Sequence, residues 1–235
     1  ILGPDAEELM NYTLTRNVKK LSVGQVVYSS MCYENGTMFD DGTLFKLSNH
    51  GFRWICGDEY AGEWLKEQAK KKNYKVLIKN STDQISNISL QGPNSRKILE
   101  KFIFTSPTQP SISELQWFRF SICRIEDLNG IPLIISRTGY TGELGYEIWC
   151  SPSDASKVWD KVFEAGKDDD IGPGTPNYVE RLESGLISFG ADTDAITNPF
   201  ELGMDRFVDL TQKNNFVGKD ALIHIKRKGI ERRFT

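Results

Sequence analysis

The chain has 235 residues, of which 39% are hydrophobic and 26% are charged, and its formal net charge is −3. These values are typical of a globular protein with one large or two small domains, and they argue against a disordered chain. The balanced charge provides no basic surface for nucleic acid, and no stretch approaches the roughly 20 apolar residues of a membrane-spanning helix.

The first part of the chain predicts antiparallel strands between two helices. Pro4 and Asp5 are typical of a helix start, with Asp5 accepting from the free amides of the first turn. Turns at Asn35-Gly36 and at residues 49–51 separate runs rich in β-branched and aromatic residues. We predict strands at residues 25–32, 43–47, 52–56 and 74–78, and a helix at residues 59–72.

The remainder of the chain repeats this alternation. We predict strands at residues 85–90, 117–125, 131–137 and 146–150, and helices from Pro93, at residues 151–165 and at residues 178–186. Hairpins interleaved with single helices predict an α+β fold with antiparallel sheets and packed helices. The polar linker at residues 106–113 divides the chain into two predicted subdomains, residues 1–105 and 106–235.

Few residues are available for metal or redox chemistry. The cysteines are Cys32, Cys56, Cys123 and Cys150. They are widely spaced in apolar, strand-like runs, which favours buried free thiols over disulfides or a zinc site. With only His50 and His224 as histidines, we expect no metal site. Dinucleotide and phosphate-loop motifs are absent, which disfavours nucleotide enzymes of those types.

Two segments contain carboxylates at positions that suit chemistry. Residues 33–41 end in Asp40 and Asp41, and because strand neighbours face opposite ways, only one of them can point inward. A buried carboxylate is costly unless it meets a cation or hydrogen-bond donors. Residues 136–149 contain three glycines and lead into a strand where Glu147 faces away from its two neighbours. A solvated turn and a glycine-rich hairpin loop are the respective structural alternatives.

Taken in order, these segments resemble the aminomethyltransferase (glycine-cleavage T-protein) superfamily of tetrahydrofolate-dependent enzymes. The matching motifs are the Asp-Asp turn, Gly-Tyr-Thr-Gly-Glu-x-Gly-x-Glu at residues 139–147, Arg-Leu-Glu-x-Gly at 181–185, Pro-x-Glu at 199–201 and Gln-Gly-Pro at 91–93. The resemblance covers the whole chain. It implies the central part of the multi-domain folate-binding aminomethyltransferase fold, without the family's first strands and its C-terminal barrel-like domain.

The resemblance also implies residues that bind folate. Asp41 matches the family's catalytic aspartate, and Glu147 matches the glutamate that binds the pterin ring. Tyr28 and Tyr140 match aromatic residues of the folate pocket. A carboxylate suits this role because it can accept the pterin amino group and the neighbouring ring N–H side by side.

Two departures from the T-protein pattern point to a different substrate. Asn177 replaces an arginine and Asp58 replaces an asparagine, and both changes favour a substrate with a positive centre. Residues 190–194 and 200–205 resemble the dimethylsulfoniopropionate demethylase branch, whose substrate carries a sulfonium cation and a carboxylate. Candidates to hold that cation against an aromatic face are Tyr33, Trp54 and Trp117, with core packing as the alternative.

The resemblance therefore predicts a tetrahydrofolate-dependent methyltransferase in the bacterial cytoplasm. It would demethylate dimethylsulfoniopropionate to 5-methyltetrahydrofolate and 3-(methylthio)propionate, with small molecules as its partners and a homodimer left open. One alternative is a true aminomethyltransferase, which needs a lipoyl-carrier partner. Another is a non-catalytic folate-binding scaffold that supports iron–sulfur assembly, although this chain lacks the reactive-cysteine motif of that branch.

Overall fold

The computed structural model describes residues 1–174, 178–230 and 232 of the chain. The strands are β1 (Val26–Cys32), β2 (Met38–Ser48), β3 (Gly51–Cys56), β4 (Ser86–Gln91), β5 (Ile103–Thr105), β6 (Phe120–Ile125), β7 (Pro132–Ser136) and β8 (Gly145–Cys150). The α-helices are α1 (Ala6–Thr13), α2 (Ala61–Lys72), α3 (Ser95–Glu100), α4 (Ala155–Gly166), α5 (Tyr178–Glu183) and α6 (Lys219–Lys228). None of the described helices is both long enough and apolar enough to cross a membrane.

The first compact unit of the chain contains residues 1–80 and the segment from residue 188 onwards. Its antiparallel sheet has the strand order β1-β2-β3. Apolar side chains recur at helical spacing along α1 and pack with one face of the sheet. The core includes Leu9, Met10, Met31, Leu44 and Trp64. The later segment belongs to this unit because Val217 enters the same core and the backbone N–H of Met38 donates to the Thr197 carbonyl at 2.9 Å.

The second compact unit contains residues 81–187. Its five-stranded antiparallel sheet has the order β4-β8-β7-β6-β5, and helices α3 and α4 cover one face. Tyr146 and Ile148 of β8 point into this core and are both fully buried. Together, the two units confirm the predicted α+β class with antiparallel sheets.

The predicted subdomain boundary between residues 105 and 106 falls inside the second unit. β4 pairs with β8, and β5 pairs with β6, so strands on both sides of that boundary share one sheet. The polar composition of residues 106–113 therefore belongs to a loop within the unit.

Three local predictions differ from the structure. Residues 74–78 do not form a strand, because Leu77 makes only an isolated bridge with Leu2. The strand predicted from residue 117 begins at Phe120, because Phe118 has a φ of 55° and so interrupts extended backbone. The Asp5 carboxylate does not cap α1 and instead accepts the backbone N–H of Lys75 at 2.7 Å.

Candidate functional site

Asp41 and Tyr28 meet on one face of the sheet of the first unit. Asp41 lies opposite Ser30 in the β1–β2 ladder, so it shares a face with Tyr28, two residues before Ser30. The Tyr28 hydroxyl donates a hydrogen bond to the Asp41 carboxylate. Burial raises the pKa of Asp41 to about 6, the Tyr28 hydrogen bond opposes that rise and the neighbouring charge of Asp40 adds to it. Asp41 can therefore change protonation state close to neutral pH.

Asp40 faces the other way and is almost fully buried. Its Oδ1 accepts the backbone N–H of Asp41 at 2.8 Å, and its Oδ2 accepts the backbone N–H of Asp58 at 3.1 Å. Burial raises the pKa of Asp40, whereas these backbone hydrogen bonds lower it. Asp40 thus links β2 to the segment that follows β3, a role that sequence reasoning missed.

The structure separates Trp54 from the Asp41 face. Trp54 pairs with Leu44, which is three residues from Asp41 on β2 and so points to the opposite side. The Trp54 ring packs against the core of the unit. Core packing, the alternative stated from the sequence, therefore describes Trp54, and the structure does not bring it to the predicted substrate site.

The remaining substrate candidates of this unit lie at its surface. Asp58 is exposed, and its Oδ1 accepts the backbone N–H of Tyr60 at 2.7 Å just before α2. Tyr33 is 40% exposed, with its ring centroid 5.1 Å from that of Phe39. Asp58 therefore has a structural role at the start of a helix, while Tyr33 presents an accessible aromatic ring.

Glu147 lies on the β8 face opposite the helices of the second unit, as the alternation of the strand predicted. Its Oε1 accepts from Asn87 Nδ2 of β4 at 2.9 Å, and its Oε2 accepts from the hydroxyl of Thr138, just after β7. A carboxylate oxygen can accept two hydrogen bonds, so each oxygen has one acceptor site beyond these partners. The arrangement suits a ligand edge with two adjacent N–H donors.

The glycine-rich loop before β8 closes around the side chain of Gln91. A Cβ built on Gly139 would lie 2.0 Å from Gln91 Oε1, and one on Gly145 would lie 1.7 Å from it. Gln91 Nε2 donates to the carbonyls of Thr138 at 3.4 Å and Tyr146 at 3.3 Å. A side chain at either glycine would displace this amide and its hydrogen bonds, a contact that the sequence pattern did not reveal.

Tyr140 and Trp117 are the exposed aromatic candidates of the second unit. Tyr140 is 45% exposed, and its hydroxyl donates to the carbonyl of Ile187. Trp117 is 72% exposed, with its ring centroid 4.7 Å from that of Phe118. Asn177, the remaining predicted substrate residue, lies outside the described residues.

The Pro-x-Glu motif forms a small polar cluster in the first unit. Glu201 Oε2 accepts the backbone N–H of Asn198 at 2.9 Å, and its Oε1 accepts from Arg232 Nε at 3.1 Å. Glu201 and Arg232 help to line a cavity of about 400 Å³. Because each polar group of Glu201 has a partner within the chain, the cluster supports the loop around the motif.

The cysteines and acidic residues are not arranged for metal binding within the described part of the chain. The four cysteines are free thiols, as predicted, and Cys56 is half-buried whereas the other three are buried. Among the described residues, no group of three or more His, Cys, Asp and Glu side chains is placed to hold a metal ion.

Comparisons with known proteins show where this chain belongs. The family model described as the GCVT N-terminal domain matches residues 1–212. A trimethylamine-oxide aldolase from Ruegeria pomeroyi is 50% identical over 96% of this chain, which spans 29% of that protein. An aminomethyltransferase from Alkaliphilus metalliredigens is 35% identical over the whole chain, which spans 63% of that protein.

A solved structure is similar in fold. The glycine cleavage system aminomethyltransferase T from Bartonella henselae matches 97% of this chain and 60% of its own length, with a TM-score of 0.74 and 24% identity. This likeness confirms the predicted fold. Through the matching domain model and the curated relatives, the chain belongs to the GCVT family, the aminomethyltransferase superfamily that its motifs resemble.

Proposed function

We propose that this chain is the tetrahydrofolate-binding part of an enzyme that transfers a one-carbon unit from a small methylated substrate to tetrahydrofolate. The observation that carries this proposal is the Glu147 carboxylate. It is oriented by Asn87 and Thr138, and each of its oxygens can accept one further hydrogen bond. Membership of the GCVT family supports the same conclusion.

The pterin ring fits the chemistry of this carboxylate. Its amino group and adjacent ring N–H are parallel donors, and a carboxylate accepts such a pair through charge-assisted hydrogen bonds. Bound tetrahydrofolate supplies N5 as the atom that receives the one-carbon unit. Tyr140, on the loop that precedes β8, offers a half-exposed aromatic ring for stacking.

Asp41 is the proposed catalytic residue of the chain. With a pKa of about 6 it is mostly ionised at neutral pH, and Tyr28 fixes its orientation. A carboxylate held in place stabilises positive charge that develops on a nitrogen as it accepts a methyl group. The remaining catalysis rests on holding acceptor, methyl and leaving group in line.

Dimethylsulfoniopropionate is the donor that the sequence motifs favour. A sulfonium is an activated methyl donor, and its transfer to N5 would yield 5-methyltetrahydrofolate and 3-(methylthio)propionate. Tyr33 and Trp117 are the exposed aromatic residues that we retain as cation contacts, since a cation is attracted to an aromatic face. Asp58 and Asn177 stay proposed contributors to the charge preference.

A methylated amine oxide is the second candidate, and the relative named a trimethylamine-oxide aldolase favours it. That substrate also carries methyl groups on a positively charged heteroatom. Cleavage of the N–O bond would oxidise one methyl group by two electrons to the level of formaldehyde and release the demethylated amine. Condensation of that one-carbon unit with tetrahydrofolate would then give 5,10-methylenetetrahydrofolate and water. The identity of the folate product therefore separates the two candidates.

The test is a product assay with the full-length enzyme and tetrahydrofolate. We would supply dimethylsulfoniopropionate, trimethylamine oxide or an aminomethylated lipoyl carrier protein and identify the folates by mass spectrometry. The methyl form with the sulfonium supports the first candidate, and the methylene form with the amine oxide supports the second. Turnover of the carrier alone would identify a true aminomethyltransferase. Failure to bind tetrahydrofolate would contradict the whole proposal.

A further inference from the structure

A line of hydrogen bonds runs across the second unit's sheet and ends on Glu147. Trp149 Nε1 donates to Ser136 Oγ at 3.0 Å, and Ser136 Oγ lies 2.7 Å from Thr138 Oγ1. The Thr138 hydroxyl then contacts Glu147 Oε2. Trp149, Ser136 and Thr138 are all buried, so solvent reaches this line chiefly at the carboxylate.

The β7–β8 register brings these residues together. Ser136 lies directly opposite Glu147, and Ile134 lies opposite Trp149. Ser136 and Glu147 therefore share one face of the sheet with Trp149, two residues further along β8. Thr138 follows the end of β7 and completes the line on the same side.

The chemistry of the donors gives this line a direction. An indole N–H can only donate, and each hydroxyl has a single proton to donate. An ionised Glu147 can only accept, so Thr138 must donate to it and Ser136 must donate to Thr138. In the reverse arrangement, Thr138 would donate to Ser136 and turn a hydroxyl lone pair towards the carboxylate, which cannot donate. Every donor in the line is satisfied when Glu147 is an acceptor.

We propose that Trp149, Ser136 and Thr138 are positioning residues that hold the Glu147 carboxylate ready to accept the donor edge of a pterin. This inference rests on the proposed function of Glu147. A glutamate side chain loses conformational freedom when it is ordered, and a carboxylate that is already ordered avoids that loss on binding. Hydrogen bonds in a buried series also polarise one another, which strengthens the final contact.

The main test uses Thr138→Val, which keeps the shape of the side chain but removes its donor. Tetrahydrofolate would be titrated into the full-length enzyme by calorimetry, and the thermal midpoint of each variant would be recorded. We expect the Kd to rise about 10- to 30-fold, because binding must then order a Glu147 side chain that Thr138 no longer holds. Thr138→Ser retains the hydroxyl and should bind within about threefold of the wild type.

Two further variants separate positioning from general disturbance. Ser89→Ala is a matched control, because Ser89 lies opposite Glu147 on β4 while its hydroxyl accepts from Gln91 at 3.0 Å. Its Kd should equal that of the wild type. Ser136→Ala interrupts the line at a second position, so its result does not depend on whether Thr138→Val folds. It should raise the Kd about 3- to 10-fold. Wild-type affinity in Ser136→Ala and Thr138→Val would overturn the proposal.

A double-mutant cycle with Glu147→Gln shows whether Thr138 acts through the carboxylate. We expect Thr138→Val to change the Kd by less than about threefold once Glu147 is replaced. Equal effects in both backgrounds would overturn the positioning role. If the wild type binds tetrahydrofolate but Thr138→Val has no effect, this inference fails while the proposed function stands. If the wild type does not bind, the proposed function fails.

Discussion

At the scale of single residues, Asp41 carries a stability cost that its proposed role requires. Its folded pKa of about 6 lies above the usual 3.8, so the folded state holds the proton more tightly than the unfolded chain does. The contribution of Asp41 to the free energy of unfolding is therefore fully present below about pH 4. It decreases as the pH rises towards 6. A carboxylate kept ionised at neutral pH in this position opposes folding.

Replacing Asp41 by asparagine should consequently separate stability from turnover. Asparagine keeps the shape and one acceptor for Tyr28 but removes the buried charge. We expect the free energy of unfolding at pH 7 to increase by at most about 3 kcal/mol, while turnover decreases at least about tenfold and folate affinity changes little. Thermal unfolding at pH 4 and pH 7 and steady-state kinetics would measure this. A variant as active as the wild type would leave Asp41 only a structural role.

Glu147→Gln tests the other proposed carboxylate. One acceptor oxygen becomes an amide donor, which then faces either Thr138, Asn87 or a pterin donor. We expect tetrahydrofolate binding to weaken by about 1.5–3 kcal/mol or more, because a charge-assisted hydrogen bond is lost and a donor is mismatched. Calorimetric titration of the full-length variant measures the change. Unchanged affinity would remove Glu147 from the pterin site.

At the scale of elements, Asp40 and Asp58 both act at the junction between β3 and α2, but with different burial. Asp40→Ala would leave the backbone amides of Asp41 and Asp58 without this acceptor, which should cost about 2–4 kcal/mol of stability. Asp58→Ala is the matched control and should cost about 1 kcal/mol, because Asp58 is exposed and accepts one N–H at a helix start. Urea unfolding would compare them, and equal losses would contradict the anchoring role of Asp40.

Features that depend on neighbouring residues in the sequence could be predicted, whereas features that depend on strand pairing could not. The alternation of apolar residues and the turn residues reveal most strands, and alternation alone places Glu147 away from Tyr146. Trp54 points away from Asp41 because of the β2–β3 register, which the residues around Trp54 do not specify by themselves. The line from Trp149 to Thr138 depends on pairing between β7 and β8, which composition does not show. Helix α6 was not predicted.

At the scale of the whole molecule, the two units differ in how their chain is arranged. Residues 81–187 form one continuous segment with its own sheet and core. The other unit joins residues 1–80 to the segment after 188, and that segment supplies backbone contacts such as the bond from Asp209 N to the Thr15 carbonyl at 2.9 Å. A continuous unit with its own core can fold by itself, whereas a discontinuous unit needs both of its parts.

We therefore expect a fragment of residues 81–187 to unfold cooperatively, and a fragment of residues 106–235 to lack such a transition. The second fragment begins at the boundary predicted from the sequence and omits β4 and β5, the partners of β8 and β6. It would expose the backbone donors of β8 along one edge and remove Ile98 and Leu99 of α3 from the core. Circular dichroism during thermal unfolding, with amide hydrogen exchange, would compare the fragments. A cooperative transition in the fragment of residues 106–235, and none in that of residues 81–187, would instead support the subdomain boundary predicted between residues 105 and 106.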